Sequence, residues 1–256
     1  MIKLIVSGAC GKMGERIIAN ALTSKEFELV GAIERSGGPH IGLEVGIKVT
    51  DNLNDIIQKC DVIIDFTNPE NTLTNLELAV KNKKAMVIGT TGFSETQLRK
   101  VKELGSQIPC VMAPNMSLGV NLLFKLAAES AKVLGDEYDV EIVEAHHRMK
   151  KDAPSGTAKK IAEVIAEEKG WDLKKVARYG REGLTGERKV DELGIRVIRG
   201  GDIVGEHTVL FNGPGETIQI KHTALSRDAF ARGALVAARF VSNKKKGLYG
   251  MADVLA

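Results

Sequence analysis

The chain has 256 residues, more than one compact core usually holds, and its 43% hydrophobic content is enough to fill two cores of moderate size. A net charge of +3 and an aromatic content of 4% argue against a nucleic-acid groove or a base-stacking platform. Cys10, Cys60 and Cys110 are too few and too scattered for a disulfide framework, no apolar run reaches membrane-spanning length, and the opening Met1 to Val6 is too short for a signal peptide, so the expected setting is the cytoplasm.

Ile2 to Ser7 reads as an apolar strand, followed by a glycine loop, a helix from Glu15 to Leu22 and a second strand, Leu29 to Ile33, ending at Glu34. The loop is Gly8, Ala9, Cys10, Gly11, Lys12, Met13 and Gly14. Its glycines permit a tight turn and a close approach of backbone N–H groups to a pyrophosphate. The spacing is Gly-x-x-Gly-x-x-Gly rather than Gly-x-Gly-x-x-Gly, so the loop alone is a weak signal; the flanking strand and helix strengthen it. Glu34 stands where an acidic residue accepts hydrogen bonds from ribose hydroxyls. Arg35 beside it suits a 2′-phosphate, so the chain carries equipment for both NADH and NADPH.

The same rhythm continues. Asp61 to Asp65 is a buried-strand candidate, leading through Phe66, Thr67 and Asn68 to a helix opened by Pro69. Ala85 to Ile88 is another strand, ending in Gly89, Thr90, Thr91 and Gly92. Ser94 and Gln97 form a capping box for a helix closed by Gly105. Pro109 to Met112 makes a further strand, ending in Ala113, Pro114, Asn115, Met116 and Ser117. Strands alternating with helices predict an α/β, Rossmann-type, doubly wound parallel sheet, with ligands at the carboxyl ends of its strands. Gly89 to Thr91 and Ala113 to Met116 are therefore expected beside the nicotinamide half of a dinucleotide.

A helix from Leu118 to Leu134, stopped at Gly135, leaves this domain. Tyr138 to Ala145 reads as a strand, and Ser155 to Lys169 as a helix whose start is marked by Pro154 and Ser155. Between them lies Glu144-Ala-His-His-Arg-Met-Lys-Lys-Asp-Ala-Pro-Ser-Gly-Thr-Ala158, the densest concentration of chemistry in the chain. On an extended chain His146 and His147 point to opposite faces and take different roles. The positive cluster is expected to lower the pKa of its members, and a helix start beside it suits a carboxylate. No metal site is expected, because Arg148 and Lys150 repel a cation and no His-Glu-x-x-His or Cys-x-x-Cys spacing occurs.

A charged loop, Arg178 to Asp191, is followed by strands Gly194 to Arg199, Gly205 to Phe211 and Glu216 to His222. Tight turns between alternating strands predict an α+β second domain with a mainly antiparallel sheet. Ile195, Val197, Val209, Phe211, Ile218 and Ile220 are too apolar for water on both faces. The last helix, Arg227 to Val241, is rich in small residues and is expected to pack back on the first domain, ending at a basic, solvated stop, Asn243 to Gly247. The expected division is 1–117 for the dinucleotide, with 227–256 returning to it, and 118–226 for substrate and oligomerisation.

The run from Glu144 to Ala158, together with Gly8 to Gly14, Gly89 to Phe93, Ala113 to Asn115 and Gly201 to Thr208, resembles the 4-hydroxy-tetrahydrodipicolinate reductase family, long called dihydrodipicolinate reductase, over nearly the whole chain. The resemblance implies an NAD(P)H-dependent oxidoreductase of diaminopimelate and lysine biosynthesis, acting on a cyclic dicarboxylate and assembled as a homotetramer through second-domain sheets. It implies catalytic roles in proton transfer for His146 and Lys150. Substrate contacts fall on His147, Gly156 and Thr157, and cofactor contacts on Gly8 to Met13, Glu34, Arg35, Gly89 to Thr91 and Ala113 to Met116. Met149 and Met116 depart from the family, where His and Phe are common, and the cofactor balance stays open. Two other readings remain at this stage: an aspartate or homoserine dehydrogenase type, against which the His-His-Arg-x-Lys run argues, and a non-catalytic dinucleotide-binding protein.

Overall fold

A computed structural model describes residues 1–256. In chain order the elements are β1 (Ile2–Ser7), α1 (Gly14–Leu22), β2 (Phe27–Ile33), β3 (Val49–Thr50), α2 (Leu53–Ile56), β4 (Val62–Asp65), α3 (Pro69–Lys81), β5 (Ala85–Ile88), α4 (Glu95–Gly105) and β6 (Pro109–Met112). There follow α5 (Leu118–Leu134), β7 (Asp139–His146), α6 (Gly156–Glu168), α7 (Leu173–Val176), β8 (Ala177–Arg178), β9 (Leu193–Arg199), β10 (Gly205–Gly213) and β11 (Glu216–Ala224). The chain closes with α8 (Asp228–Ser242), β12 (Gly247–Tyr249) and α9 (Met251–Val254). It forms two compact units, one of Met1–Leu118 with Arg227–Ala256, the other of Gly119–Ser226. No helix is long and apolar enough to cross a membrane.

The first unit is built on a seven-stranded sheet in the order β12-β6-β5-β4-β1-β2-β3, with every ladder parallel. Its central strands are apolar at successive positions because both faces are covered. Leu4, Val6, Val62, Ile64 and Val87 pack with Ile17 of α1 and with Ala231, Ala234 and Ala238 of α8. Ile5, Ile63, Met86 and Ile88 turn the other way, to Leu53, Leu76, Ala79 and Val101 of α2, α3 and α4. The helix starts follow local chemistry. Asn68 caps α3 ahead of Pro69, and Ser94 with Gln97 closes the expected capping box of α4.

Helix α8 lies close on the sheet because the residues it buries are small. At Gly233 there is no room for a side chain, since a Cβ there would stand 1.7 Å from the Met116 carbonyl oxygen. Beyond Asn243 the chain does not simply end in solvent. Gly247–Tyr249 adds β12 alongside β6, and Tyr249 meets Phe240 edge to face at 5.4 Å. Three residues without alternation give no periodic signal of a strand.

The second unit has a five-stranded sheet in the order β11-β10-β7-β9-β8. It is mixed: β10 runs antiparallel to β7 and β11, while β9 runs parallel to β7 and β8. The expected succession of hairpins holds for β10 and β11 but not for β9 and β10, which are separated by β7. The Gly200-Gly201 segment is held by the extension of β7, with Gly200 N donating to His146 O at 3.0 Å and His147 N to Ile203 O at 2.8 Å. Ile195, Val209 and Phe211 turn inward to meet Leu123 of α5 and Ile161 and Ile165 of α6. Arg181 and Arg188 tie the charged loop to Glu141, Glu192 and Asp139.

The crowding at Gly233 makes the effect of a methyl group predictable in sign. In an open helix Gly→Ala adds about 1 kcal/mol of stability; here Gly233→Ala is expected to cost about 2 kcal/mol or more by forcing α8 away from the Met116–Ser117 backbone that follows β6. A lowered urea midpoint with unchanged slope is the expected result; a raised midpoint contradicts the packing.

Candidate functional site

At the carboxyl end of the parallel sheet, β1 stops at Ser7 and the chain turns through Gly8, whose φ of +80° favours glycine. A Cβ on Gly8 would lie 2.4 Å from the Phe66 carbonyl oxygen, and one on Gly14 would lie 2.1 Å from the Gly8 oxygen. The loop is thus folded tightly on itself and on the β4 end. Helix α1 begins at Gly14 without a side-chain cap, and its Glu15 N–H donates back to the Gly11 oxygen of the loop at 3.0 Å. A cavity of about 350 Å³ opens beside it, lined by Gly8, Gly11, Glu34 and Arg35 among others. Glu34 Oε1 accepts from the Arg35 N–H at 2.9 Å. Glycine cradle, uncapped helix start and acidic strand end together fit a dinucleotide, whose adenosine half Glu34 and Arg35 would hold.

Other expected cofactor residues sit differently. Thr90 is buried, and its hydroxyl is engaged with Asp65 at 3.0 Å and Thr72 at 2.9 Å. Ala113 and Met116 have side chains in the core with α8, so what they offer a ligand is main chain. Cys10 packs against that core, and its thiol is pushed up by burial and then by Glu34, which keeps it protonated. Lys12, Thr91 and Pro114 are exposed, and Gly89 and Asn115 half-buried.

In the second unit the strand end of β7 organises the chemistry. Glu144 is fully buried and receives a bidentate pair from Arg199, Nη1 to Oε2 and Nη2 to Oε1, both at 2.8 Å. The same carboxylate meets His146 Nδ1 at 2.6 Å and accepts from the Ser155 N–H at 3.0 Å. Arg199 also reaches the Asp152 carbonyl at 2.7 Å, so one ion pair fixes the strand, the loop and the start of α6. Ser155 caps α6 by accepting from Ala158 N at 3.1 Å, and its hydroxyl meets His207 Nε2 at 3.0 Å. His207 in turn stacks edge to face on His146 at 5.2 Å. Lys150 pairs with Asp152 at 2.8 Å. Gly156 and Thr157 open α6 immediately after Ser155.

His146, Lys150, Gly156 and Thr157 therefore belong to one cluster. His147 is tied through its main chain to Ile203, and its Nδ1 is buried without a partner. The electrostatics correct the expectation of a purely cationic cluster. Burial is the main force lowering the pKa of His146, Glu144 opposes it, and Lys150 and Arg199 only add to the lowering. Burial pushes the Glu144 carboxyl up, but Arg199, His146 and the Ser155 N–H outweigh that and hold it below the usual range. With Nδ1 directed at a carboxylate, His146 carries its proton there and presents Nε2 as an acceptor.

Sequence reading missed Arg199, His207 and the structural task of Glu144. Glu144 was within reach, since period-two alternation puts it on the face of His146. Arg199 was not, because only the parallel register of β7 and β9 sets it opposite His146.

Comparison with known proteins agrees with this geometry. Residues 2–116 match the family model for the N-terminus of dihydrodipicolinate reductase, and residues 119–255 the model for its C-terminus. The chain is 52% identical to the 4-hydroxy-tetrahydrodipicolinate reductase of Geotalea uraniireducens and 51% identical to that of Geotalea daltonii, in each case over 100% of this chain and 99% of the relative. A solved dipicolinate-bound dihydrodipicolinate reductase from Paenisporosarcina sp. TG-14 superposes with a TM-score of 0.79 at 29% identity, covering 99% of both chains.

The buried histidine gives a pH test. Burial, then His146, push His207 down from 6.5 to about 3, and its Nδ1 has no partner that would welcome a charge. The unfolded chain takes up this proton below pH 6.5 while the folded one does not until about pH 3. Its contribution to stability is therefore complete above pH 6.5 and lost as pH falls through that window, by up to about 1.4 kcal/mol per unit. Urea unfolding at pH 7.5 and pH 5 is expected to show a larger acid loss in the wild type than in His207→Gln, by roughly 2 kcal/mol. Equal losses would contradict the assignment.

Proposed function

The chain belongs to the dihydrodipicolinate reductase family, and on that footing we propose that it reduces 4-hydroxy-tetrahydrodipicolinate to tetrahydrodipicolinate and water. The observation that carries the reading is the cluster of His146, Lys150 and the α6 start, held by the buried Glu144–Arg199 pair. The 4-hydroxyl and one carbon-3 hydrogen leave together as water, opening a C3=C4 double bond conjugated with the ring imine, and NADH or NADPH, when bound, supplies a hydride to carbon 4. Lys150 delivers the proton that carbon 3 takes up. His146, neutral and fixed by Glu144, offers Nε2 as the acceptor that steadies this proton transfer. The N–H groups of Gly156 and Thr157, at the positive end of α6, hold one substrate carboxylate, and His147 contacts the same dicarboxylate. Positioning by these groups supplies much of the rate.

Glu34 and Arg35 both line the nucleotide cleft, which supports use of both cofactors, Glu34 toward the ribose of NADH and Arg35 toward the 2′-phosphate of NADPH. The second-unit sheet joins the protein as a homotetramer. Its face away from α5 and α6 carries Val143, Leu210 and Ile198, the last half exposed, and such a surface favours a partner over water. Three free cysteines suit a reducing cytoplasm as the setting.

The test is oxidation of NADPH, and separately NADH, by purified protein supplied with substrate generated enzymatically from pyruvate and aspartate semialdehyde. Oxidation that requires this product is expected with both cofactors; none with either, from protein that binds both, would leave only a dinucleotide-binding role. Lys150→Ala is expected to lower kcat by about 10²-fold or more with little change in KM, as for loss of a proton donor. Thr157→Val should instead weaken binding of dipicolinate, used as a substrate analogue, by about tenfold. Ile198→Glu is expected to give a smaller species in sedimentation.

A further inference from the structure

Asp65, at the end of β4, is fully buried, and no step of the reaction uses it. Its Oδ1 accepts from Thr67 Oγ1 at 2.8 Å, Thr67 N at 3.2 Å, Thr72 Oγ1 at 2.8 Å and Thr90 Oγ1 at 3.0 Å. Its Oδ2 accepts from Asn75 Nδ2 at 2.7 Å, and the same amide donates to Ser7 Oγ at 3.0 Å. Thr90 Oγ1 further accepts from Thr67 N at 3.0 Å. All these donors are neutral. They come from the ends of β4 and β5 and from one face of α3, and the Asn75 amide passes the contact on to Ser7 at the end of β1, so a single carboxylate and its partner amide fasten three strand ends to one helix.

Those strand ends form the wall of the nucleotide cleft. Ser7, Phe66, Thr67 and Asn75 all line the cavity. The Phe66 carbonyl sets how closely the chain can approach Gly8, and its ring lies 2.2 Å from where a Gly89 Cβ would stand. Shifting Thr67 would thus move both the glycine loop and the β5 end. An apolar residue would fill the space under the sheet more cheaply than a carboxylate, which must have every donor in place. A fully satisfied network instead holds its members in one arrangement.

We propose that Asp65 is a positioning residue for dinucleotide binding: it holds the loops after β1, β4 and β5 in the shape that receives the cofactor, and touches neither cofactor nor substrate. This rests on the reading of the glycine cleft as the dinucleotide site. The polarity of the contact with Asn75 makes the idea testable by exchange. Asp65→Asn sets two amide donors against each other. The pair Asp65→Asn/Asn75→Asp restores one donor and one acceptor across the same gap, and the Ser7 hydroxyl rotates to donate.

The experiment measures binding of NADH and NADPH by nucleotide fluorescence, binding of dipicolinate by calorimetry, and urea stability, all on the full chain. Asp65→Asn is expected to weaken both dinucleotides by about tenfold or more and to leave dipicolinate unchanged. The exchanged pair is expected to recover to within about threefold of wild type. Thr72→Val, which removes one donor without touching the cavity, should weaken both dinucleotides severalfold. Wild-type protein that binds neither dinucleotide would overturn the site reading itself. With wild-type binding intact, unchanged dinucleotide affinity in folded Asp65→Asn overturns the proposal, as does an exchanged pair that regains stability without regaining affinity. Should Asp65→Asn not fold, Thr72→Val decides, and full dinucleotide affinity there overturns the proposal.

Discussion

A carboxylate removed from water must be surrounded by donors, and in this protein each unit places one such group at the end of a central strand. In the second unit the group is Glu144, satisfied by Arg199, His146 and the Ser155 N–H. Leaving any of these bonds unmade would strand a buried charge, which is far more costly than the bond itself is worth. The constraint therefore fixes the orientation of the His146 ring, the course of the loop through Asp152 and the position where α6 begins. In the first unit Asp65 imposes the same condition with neutral donors only, and it gathers strand ends where Glu144 gathers a strand, a loop and a helix start.

The consequence for the chemistry is a cluster that looks strongly basic in sequence and is nearly balanced in space. Lys150 faces Asp152, and Arg199 is spent on Glu144. What remains open to an anion is the positive end of α6 and a lysine already within reach of a carboxylate. His146 and His207 are both driven toward the neutral form by burial. The two imidazoles therefore add no fixed positive charge beside the Lys150 amine.

Much of this was legible in the chain. The glycine loop, the β4 to β6 rhythm, the Ser94 capping box and the Ser155 helix start are local patterns, and each forms as read. Small residues along α8 announced a helix that would lie close to something. The mixed order of the second sheet was not legible, because strand order is a property of partners rather than of spacing: β9 and β10 look like a hairpin, yet β7 lies between them. Three-residue β12 carried no period at all.

By itself the sequence determined the longer elements and the residues they bury or expose, since propensity, capping and alternation act over a few neighbours. Only the tertiary structure decided which of those residues meet. Arg199 reaches Glu144 because β9 runs parallel to β7 in one register, and Asp65 finds donors between positions 67 and 90 because β4 and β5 end side by side. Such pairings depend on distances that no local pattern encodes. The physical reason is that a buried polar group chooses its partners by proximity in the folded chain, and the folded chain alone sets that proximity.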